Sequence, residues 1–414
     1  MELFENWQET KETLLEGLSE RKKAILAPVL ENQMQHLQET ASAGVNAAGA
    51  IGNFQKIVIP MIRRIIPGTI ATELVGVQPM SGPVGLVYSL RFLFSEAVTA
   101  NHKPGTLVNP NDNIVAGDEV FGHVNAKLRR FYSTADAPVA SGAFPSGVAT
   151  SGGEAALTSD YEAFGGRAMT LEVLKQTVTA GSRKLQARWT PEAMQDLKAS
   201  HGLDLEAEIT ASLSAAVVSE IDNEIINDLI ALAGTTDSFD MAGPMTGVPN
   251  YVGDRHAVLG VLINRVANEI ARKTRRGPAN WIVVSPLVVS VLQSASKSVF
   301  APAVSGSFEG PNNTKLVGTM NGSIKVYSYV YHDQGTEPVL LGFKGGSGEM
   351  DTGYFYCPYV PLMSSGVVVD PNTFNPHVSL MTRYGKATFT STATSLGNSA
   401  DYYGRISVAN LSFV

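Results

Sequence analysis

The residue types that most often carry chemistry are scattered along this chain. Its seven histidines are His36, His102, His123, His201, His256, His332 and His377. No two stand three to five residues apart, the spacing at which one helix or turn presents two imidazoles to a metal. Each reads as a surface group or a hydrogen-bonded buried ring. Cys357, in Tyr356-Cys357-Pro358, is the only cysteine, so neither an intrachain disulfide nor a cysteine metal site can form. It reads as a small buried hydrophobe. No Gly-x-Ser-x-Gly elbow occurs. The stretch Gly342-Phe343-Lys344-Gly345-Gly346-Ser347-Gly348 has the glycines of a phosphate loop, but not the Gly-Lys-Ser/Thr ending or a following helical pattern. Asp222, Glu224 and Asp228 fall within one helical stretch, where paired carboxylates could exchange protons. Their spacing also suits the polar, solvated or interface-paired side of a packed helix, and that is the reading adopted. The sequence predicts no catalytic residue, no metal site and no cofactor.

The elements around these residues are easier to read. Residues 1–39 carry eight acidic and four basic side chains, with apolar stripes Leu14, Leu15, Leu18 and Leu26, Leu30, Met34, Leu37. They predict two amphipathic helices on a charged arm. Residues 40–55 are small and form a linker. Ile57 to Ile66 is apolar around Arg63-Arg64, and Pro67 stops it. Leu86 to Phe94 reads as a strand. The Gly, Pro, Ser and Ala-rich stretch 101–168 is too long for an internal loop of a compact domain, and reads as an excursion toward a neighbouring chain. Residues 169–187 alternate like its returning strand.

The strongest helical signal is 190–232. Ile209, Leu213, Val217, Ile221, Ile225 and Leu229 recur every four residues, a row that drifts about 40° per step around an α-helix. Such a helix must meet different partners along its length. Asp204 suits its N-cap, with Glu206 and Glu208 at the positive end of the dipole. A second helix spans 255–276 and ends in Arg272, Lys273, Arg275 and Arg276, a cluster that suits a helix C-terminus. Residues 281–284 form a strand, and Ser285-Pro286 opens a helix. Short strands broken by Gly, Asn and Pro fill 313–414.

Composition narrows the classes. The chain has 414 residues, 44% of them apolar and 17% charged, with a net charge of −7. The charged share lies below the roughly 25% of ordinary soluble domains, which points to surface buried against further copies. The negative charge argues against specific nucleic-acid binding. No signal peptide is read at the N-terminus, and no membrane span is expected.

Several strings then occur in order: Pro60-Met61-Ile62-Arg63-Arg64-Ile65-Ile66-Pro67; Gly76-Val77-Gln78-Pro79-Met80-Ser81-Gly82-Pro83; His201-Gly202-Leu203-Asp204; Tyr354-Phe355-Tyr356-Cys357-Pro358-Tyr359-Val360-Pro361; Val369-Asp370-Pro371-Asn372-Thr373-Phe374; and Thr382-Arg383-Tyr384-Gly385. On these, over roughly residues 20–410, the chain resembles the major capsid proteins of T-even-like myoviruses. The resemblance implies an α+β, Hong Kong-97-type capsid fold. Its parts would be an assembly arm at 1–39, an N-arm at 40–84, an E-loop at 85–188 with a reduced insertion or none, and a P-domain with a spine helix at 189–254. An A-domain at 255–350 and return strands at 351–414 would complete it.

The resemblance also implies a head-shell subunit, made in the bacterial host cytoplasm, that forms hexamers with itself. Expected partners are a vertex protein, portal, scaffold and prohead protease, with a decoration protein as a further candidate and packaged DNA at the inner face without specific binding. A prohead protease would cut after an aliphatic residue, any residue and Glu. Leu37-Gln38-Glu39 before Thr40 fits, as do four upstream strings ending at Glu5, Glu16, Glu20 and Glu31; position before the linker favours Glu39. Arg63, Arg64, Arg275 and Arg276 are candidates for contacts between subunits. The alternatives are a pentameric vertex subunit of the same family and an encapsulin-type cellular compartment.

Overall fold

The computed structural model describes residues 7–42, 69–94, 169–202, 205–241, 252–274, 276–294, 300–302, 315–330, 337–346, 351–370, 372–389 and 398–411. Its helices are α1 (Trp7–Leu15), α2 (Glu20–Ser42), α3 (Ala71–Leu74), α4 (Pro191–His201), α5 (Leu205–Leu232), α6 (Val252–Thr274) and α7 (Pro286–Ser294). Its strands are β1 (Gly76–Val77), β2 (Val84–Phe94), β3 (Met169–Thr179), β4 (Gly181–Arg188), β5 (Thr235–Asp240), β6 (Trp281–Val284), β7 (Phe300–Pro302), β8 (Lys315–Met320), β9 (Ile324–Ser328), β10 (Glu337–Gly342), β11 (Tyr354–Val369), β12 (Pro376–Thr388) and β13 (Tyr403–Ala409). The α+β class expected from the sequence is found. The 101–168 excursion and the proposed cap Asp204 lie outside the described residues.

Helix α5 is the 28-residue spine that the four-residue apolar row predicts. Leu213, Val217, Val218, Ile221, Ile225, Ile226 and Leu229 are buried in the larger core. The drift of the row carries polar residues inside as well, so Ser214 and Asp222 are also buried. Helix α4 precedes it with clear boundary chemistry. Pro191 opens the first turn, and the Ala193 amide donates to the Thr190 hydroxyl oxygen at 3.3 Å. Gly202 closes it at φ 67°, in the left-handed region.

The described strands form three sheets, of which the first and third contact the spine through β4, β10 and β13. Strands run β1-β11-β12-β4 in the first, where β1 is parallel to β11 and the other pairs are antiparallel. Strands β2 and β3 pair alone, antiparallel, from Val84 opposite Thr179 to Phe94 opposite Met169. This long hairpin departs from the first sheet at Ala180, between β3 and β4. Its base presses on β12 so closely that a Cβ at Gly385 would lie 2.4 Å from Val178 Cγ1.

The third sheet is mixed, in the order β5-β13-β10-β6-β9-β8-β7. It draws β5 and β13 from outside residues 255–350. Helix α6 covers it with Leu259, Ile263, Val266, Ala267 and Ile270, and α7 adds Val288, Val291 and Leu292; of the stripe that the sequence places on α6, Val266 and Ile270 are buried while Val258 and Leu262 are half-buried at its edge. The Val288 amide donates to the Ser285 hydroxyl oxygen at 3.4 Å, the cap expected there. Gly342 pairs with Trp281 across β10 and β6, and a Cβ at 342 would fall 2.1 Å from the indole. The glycine-rich string that looked like a phosphate loop is glycine-rich, at this position, to admit Trp281.

The two predicted N-terminal helices form, and their apolar stripes pack against the body. Ile25, Leu26, Val29 and Leu30 of α2 are all buried in the same core as the spine. Full burial of four such side chains stabilises by roughly 6–12 kcal/mol, comparable with the net stability of a whole domain. Pro28 lies inside α2 and is exposed, so the carbonyl that it leaves without an amide partner, at Ala24, faces outward. A helix with an internal proline, disfavoured by about 3 kcal/mol relative to alanine, is weak on its own. This one depends on the surface beneath it.

Candidate assembly surfaces

Inside the subunit, Asp222, Glu224 and Asp228 of the spine are all paired, with Asp222 buried and the other two partly exposed. Asp222 is buried and accepts the Ile70 backbone amide at 2.9 Å, fixing the start of α3. Two residues on, and about 200° around the helix, Glu224 accepts from the Tyr384 hydroxyl at 2.5 Å and from Lys386 Nζ at 2.8 Å, and pairs with Arg183. Asp228 accepts from Lys386 at 2.5 Å and from the Tyr354 hydroxyl at 2.8 Å. The three carboxylates therefore rivet the spine to α3, β4, β11 and β12.

The electrostatics follow this geometry. Burial pushes the Glu224 carboxyl up, but the bonds from Lys386 and Tyr384 and the charges of Lys386 and Arg183 outweigh it and hold the pKa below its usual value. Burial pushes the Lys386 ammonium down, and the bonds and charges of Asp228 and Glu224 reverse that, raising it. Cys357 is buried as expected, and burial pushes its thiol up to about 12. His256 is buried with its Nδ1 2.8 Å from the Ser294 hydroxyl. Among the described residues, no group of three or more His, Cys, Asp or Glu is placed to hold a metal, and no described helix is long and apolar enough to cross a membrane.

Lys344 is turned inward. Its Nζ donates to the Thr72 carbonyl at 2.7 Å and to the Val75 carbonyl, while its backbone and Asn280 exchange two further hydrogen bonds. A lysine held this way ties the third sheet to α3 and offers nothing to a phosphate. No local pattern signals this role or the burial of Asp222, because their partners lie far along the chain.

The sequence-derived site residues fall as follows. Arg63, Arg64 and Arg275 lie outside the described residues. Arg276 pairs with Asp351 of the same chain at 2.9 Å and remains half exposed. Arg272 pairs with Glu269 at 3.4 Å, and Lys273 Nζ donates to the Thr235 hydroxyl oxygen at 2.7 Å. Glu39 and Thr40 lie in the final turn of α2, which runs on to Ser42 and ends later than the sequence suggested.

Two surfaces expose large apolar side chains. Val84, Tyr88, Leu171 and Val173 stand out from the β2–β3 hairpin. Val367, Val368 and Val369 end β11, and Phe374 in the following turn is 73% exposed. The turn is built to hold that ring. Asp370 accepts the Asn372 amide at 3.0 Å and the Thr373 hydroxyl at 2.9 Å, and its carbonyl accepts the Phe374 amide at 2.8 Å. Phe374 itself sits at φ 59°, a left-handed conformation disfavoured for a bulky residue.

The described residues thus combine internal rivets with apolar side chains displayed on the β2–β3 hairpin and at the turn after β11. Comparison with known proteins supplies the identity. Residues 51–408 match the family described as major capsid protein Gp23. A major capsid protein of Vibrio phage KVP40 is 30% identical, covering 97% of this chain and 96% of its own length. The major capsid protein of Enterobacteria phage T4 is 27% identical, covering 93% and 90%. A solved chain from Microbacterium phage Oxtober96 has a TM-score of 0.44 at 10% identity, covering 82% of this chain and 91% of that one. The chain belongs to the Gp23 major capsid protein family. It is a head-shell subunit of a tailed bacteriophage, a structural component of the virion and not an enzyme.

Proposed function

We propose that the chain is the hexamer-forming subunit of the head, with the Hong Kong-97-type division of labour. In that reading the β2–β3 hairpin is the E-loop, α5 with the first sheet is the P-domain, and the third sheet with α6 and α7 is the A-domain. The observation that carries it is the built display of Phe374 beside Val367, Val368 and Val369. A strained turn that holds an aromatic ring out in water is consistent with a site that another subunit covers. Arg63, Arg64 and Arg275 join these as candidate contacts, and Arg276 does so through the half of its guanidinium that Asp351 leaves exposed. Vertex protein, portal, scaffold and decoration protein are proposed as further neighbours. The alignment with the KVP40 protein spans 508 positions against the 414 residues here, which fits a reduced E-loop insertion. Electron microscopy of the purified chain tests the reading: six-fold capsomers or shells are expected, and five-fold rings alone would transfer it to the vertex role.

The proposed maturation cut is Glu39-Thr40. The last four carbonyls of a helix have no intrahelical amide partner, and in α2 the first of these four belongs to Glu39. Unwinding this turn breaks only the bonds that its own amides make to the turn before it, whereas a mid-helix segment would lose bonds on both sides. Leu30-Glu31, by contrast, lies in the seated part of the helix, with Val29 and Leu30 buried. Intact-mass analysis of virions is expected to find Thr40 as the first residue, and retention of residues 1–39 would reject the site.

A further inference from the structure

We infer that α3, β1 and β11 form a helix-binding surface whose resident ligand is α2, and that cutting the chain beyond α2 leaves this ligand bound. The inference goes beyond the proposed cleavage and does not depend on which bond is cut. Three kinds of contact carry it. The first is apolar: Ile25, Leu26, Val29 and Leu30 occupy one stripe of α2, and all four are buried in the core that includes Leu74, Val75, Val77, Tyr354 and Leu362. The second is directional. Asn32 donates its side-chain amide to the Met80 carbonyl at 2.7 Å and to the Tyr359 carbonyl at 3.4 Å, which fixes the register of the helix on its seat. The third is charge at the rim, where Lys22 stands 4.0 Å from Glu73. Helix α1 folds over the outer side, joined to α2 by the Lys11–Glu31 pair, with Leu14 and Leu15 against the same core.

None of these contacts runs through the peptide bonds that follow Ser42. Scission there removes a tether and no part of the seat. Departure of the arm is thus a separate step, which needs the surface itself to open. The arm depends on the seat in return, because Pro28 weakens α2 as an isolated helix.

The test uses the full chain with a recognition sequence for a site-specific protease inserted between Gly44 and Val45, cut after folding and before any shell forms. The fragment is expected to co-elute with the body on size exclusion at micromolar concentration. Amides of residues 25–32 should stay protected from hydrogen exchange after the cut. Leu26→Ala with Leu30→Ala should weaken retention by at least about 100-fold. Loss of the fragment on cutting, whether the body stays folded or aggregates, overturns the inference, as does equal retention of the double variant. Because the assay reads unassembled chain, its failure leaves the shell-forming role and the cut site untouched.

Discussion

The carboxylate of Asp222, midway along the spine helix, accepts the backbone amide of Ile70 at 2.9 Å across 152 residues of sequence. The contact lies in the core, and it sets where α3 begins. Removing the acceptor leaves an amide without its bond in a place water does not reach. Asp222→Ala is expected to cost about 1–3 kcal/mol, read as a lower urea midpoint, with Asp222→Asn much milder because one oxygen remains. An unchanged midpoint in the alanine variant would show that the bond contributes nothing.

Lys344 does comparable work from the other side. Its ammonium bonds the Thr72 and Val75 carbonyls at the end of α3. Lys344→Met keeps the apolar stem and deletes the donor, and is expected to cost roughly 2 kcal/mol or more. Thermal unfolding of the unassembled chain measures it; a variant as stable as the parent would refute the latch.

The spine rivet predicts two pH limits. Glu224 has a folded pKa below its usual 4.5, so its contribution is present above that value and is lost as pH falls through the folded pKa. Lys386 has a folded pKa above its usual 10.5, so its contribution is present below that value and is lost as pH rises through the folded pKa. Glu224→Gln should flatten the acid limb of a melting-temperature profile, and Lys386→Met the alkaline one. Limbs identical to the parent's in both variants would contradict the assignment.

Phe374 should separate assembly from folding. With its ring in water and its turn secured by Asp370, Phe374→Ser is expected to leave the folding stability of the unassembled subunit within about 0.5 kcal/mol of the parent and to lower the yield of shells. Normal shell yield would remove the ring from the list of subunit contacts.

How much of this was legible depended on how far apart the partners lie. The spine, the α6 stripe, the β2–β3 hairpin and the Ser285 cap each rest on spacings of a few residues, and the sequence displays such spacings directly. For the arm, the stripe Leu26, Leu30, Met34 and Leu37 says that one side of a helix is covered, but not by what, because the covering residues lie far along the chain. Asp222 and Lys344 offer no local pattern at all. Their partners lie 152 and 272 residues away, and a buried charge cannot be told from a solvated one by its neighbours in sequence.

The position of β13 has a consequence for synthesis. It lies between β5 and β10 in the third sheet, although every other strand of that sheet precedes it along the chain. A nascent chain leaving the ribosome N-terminus first cannot join β5 to the rest until residues 403–409 have emerged. Helices α1 and α2 are made first of all, yet their seat on β11 appears more than 300 residues later. The subunit is therefore closed late, and for most of its translation both its sheet edges and the apolar stripe of α2 are open to whatever else the cytoplasm holds.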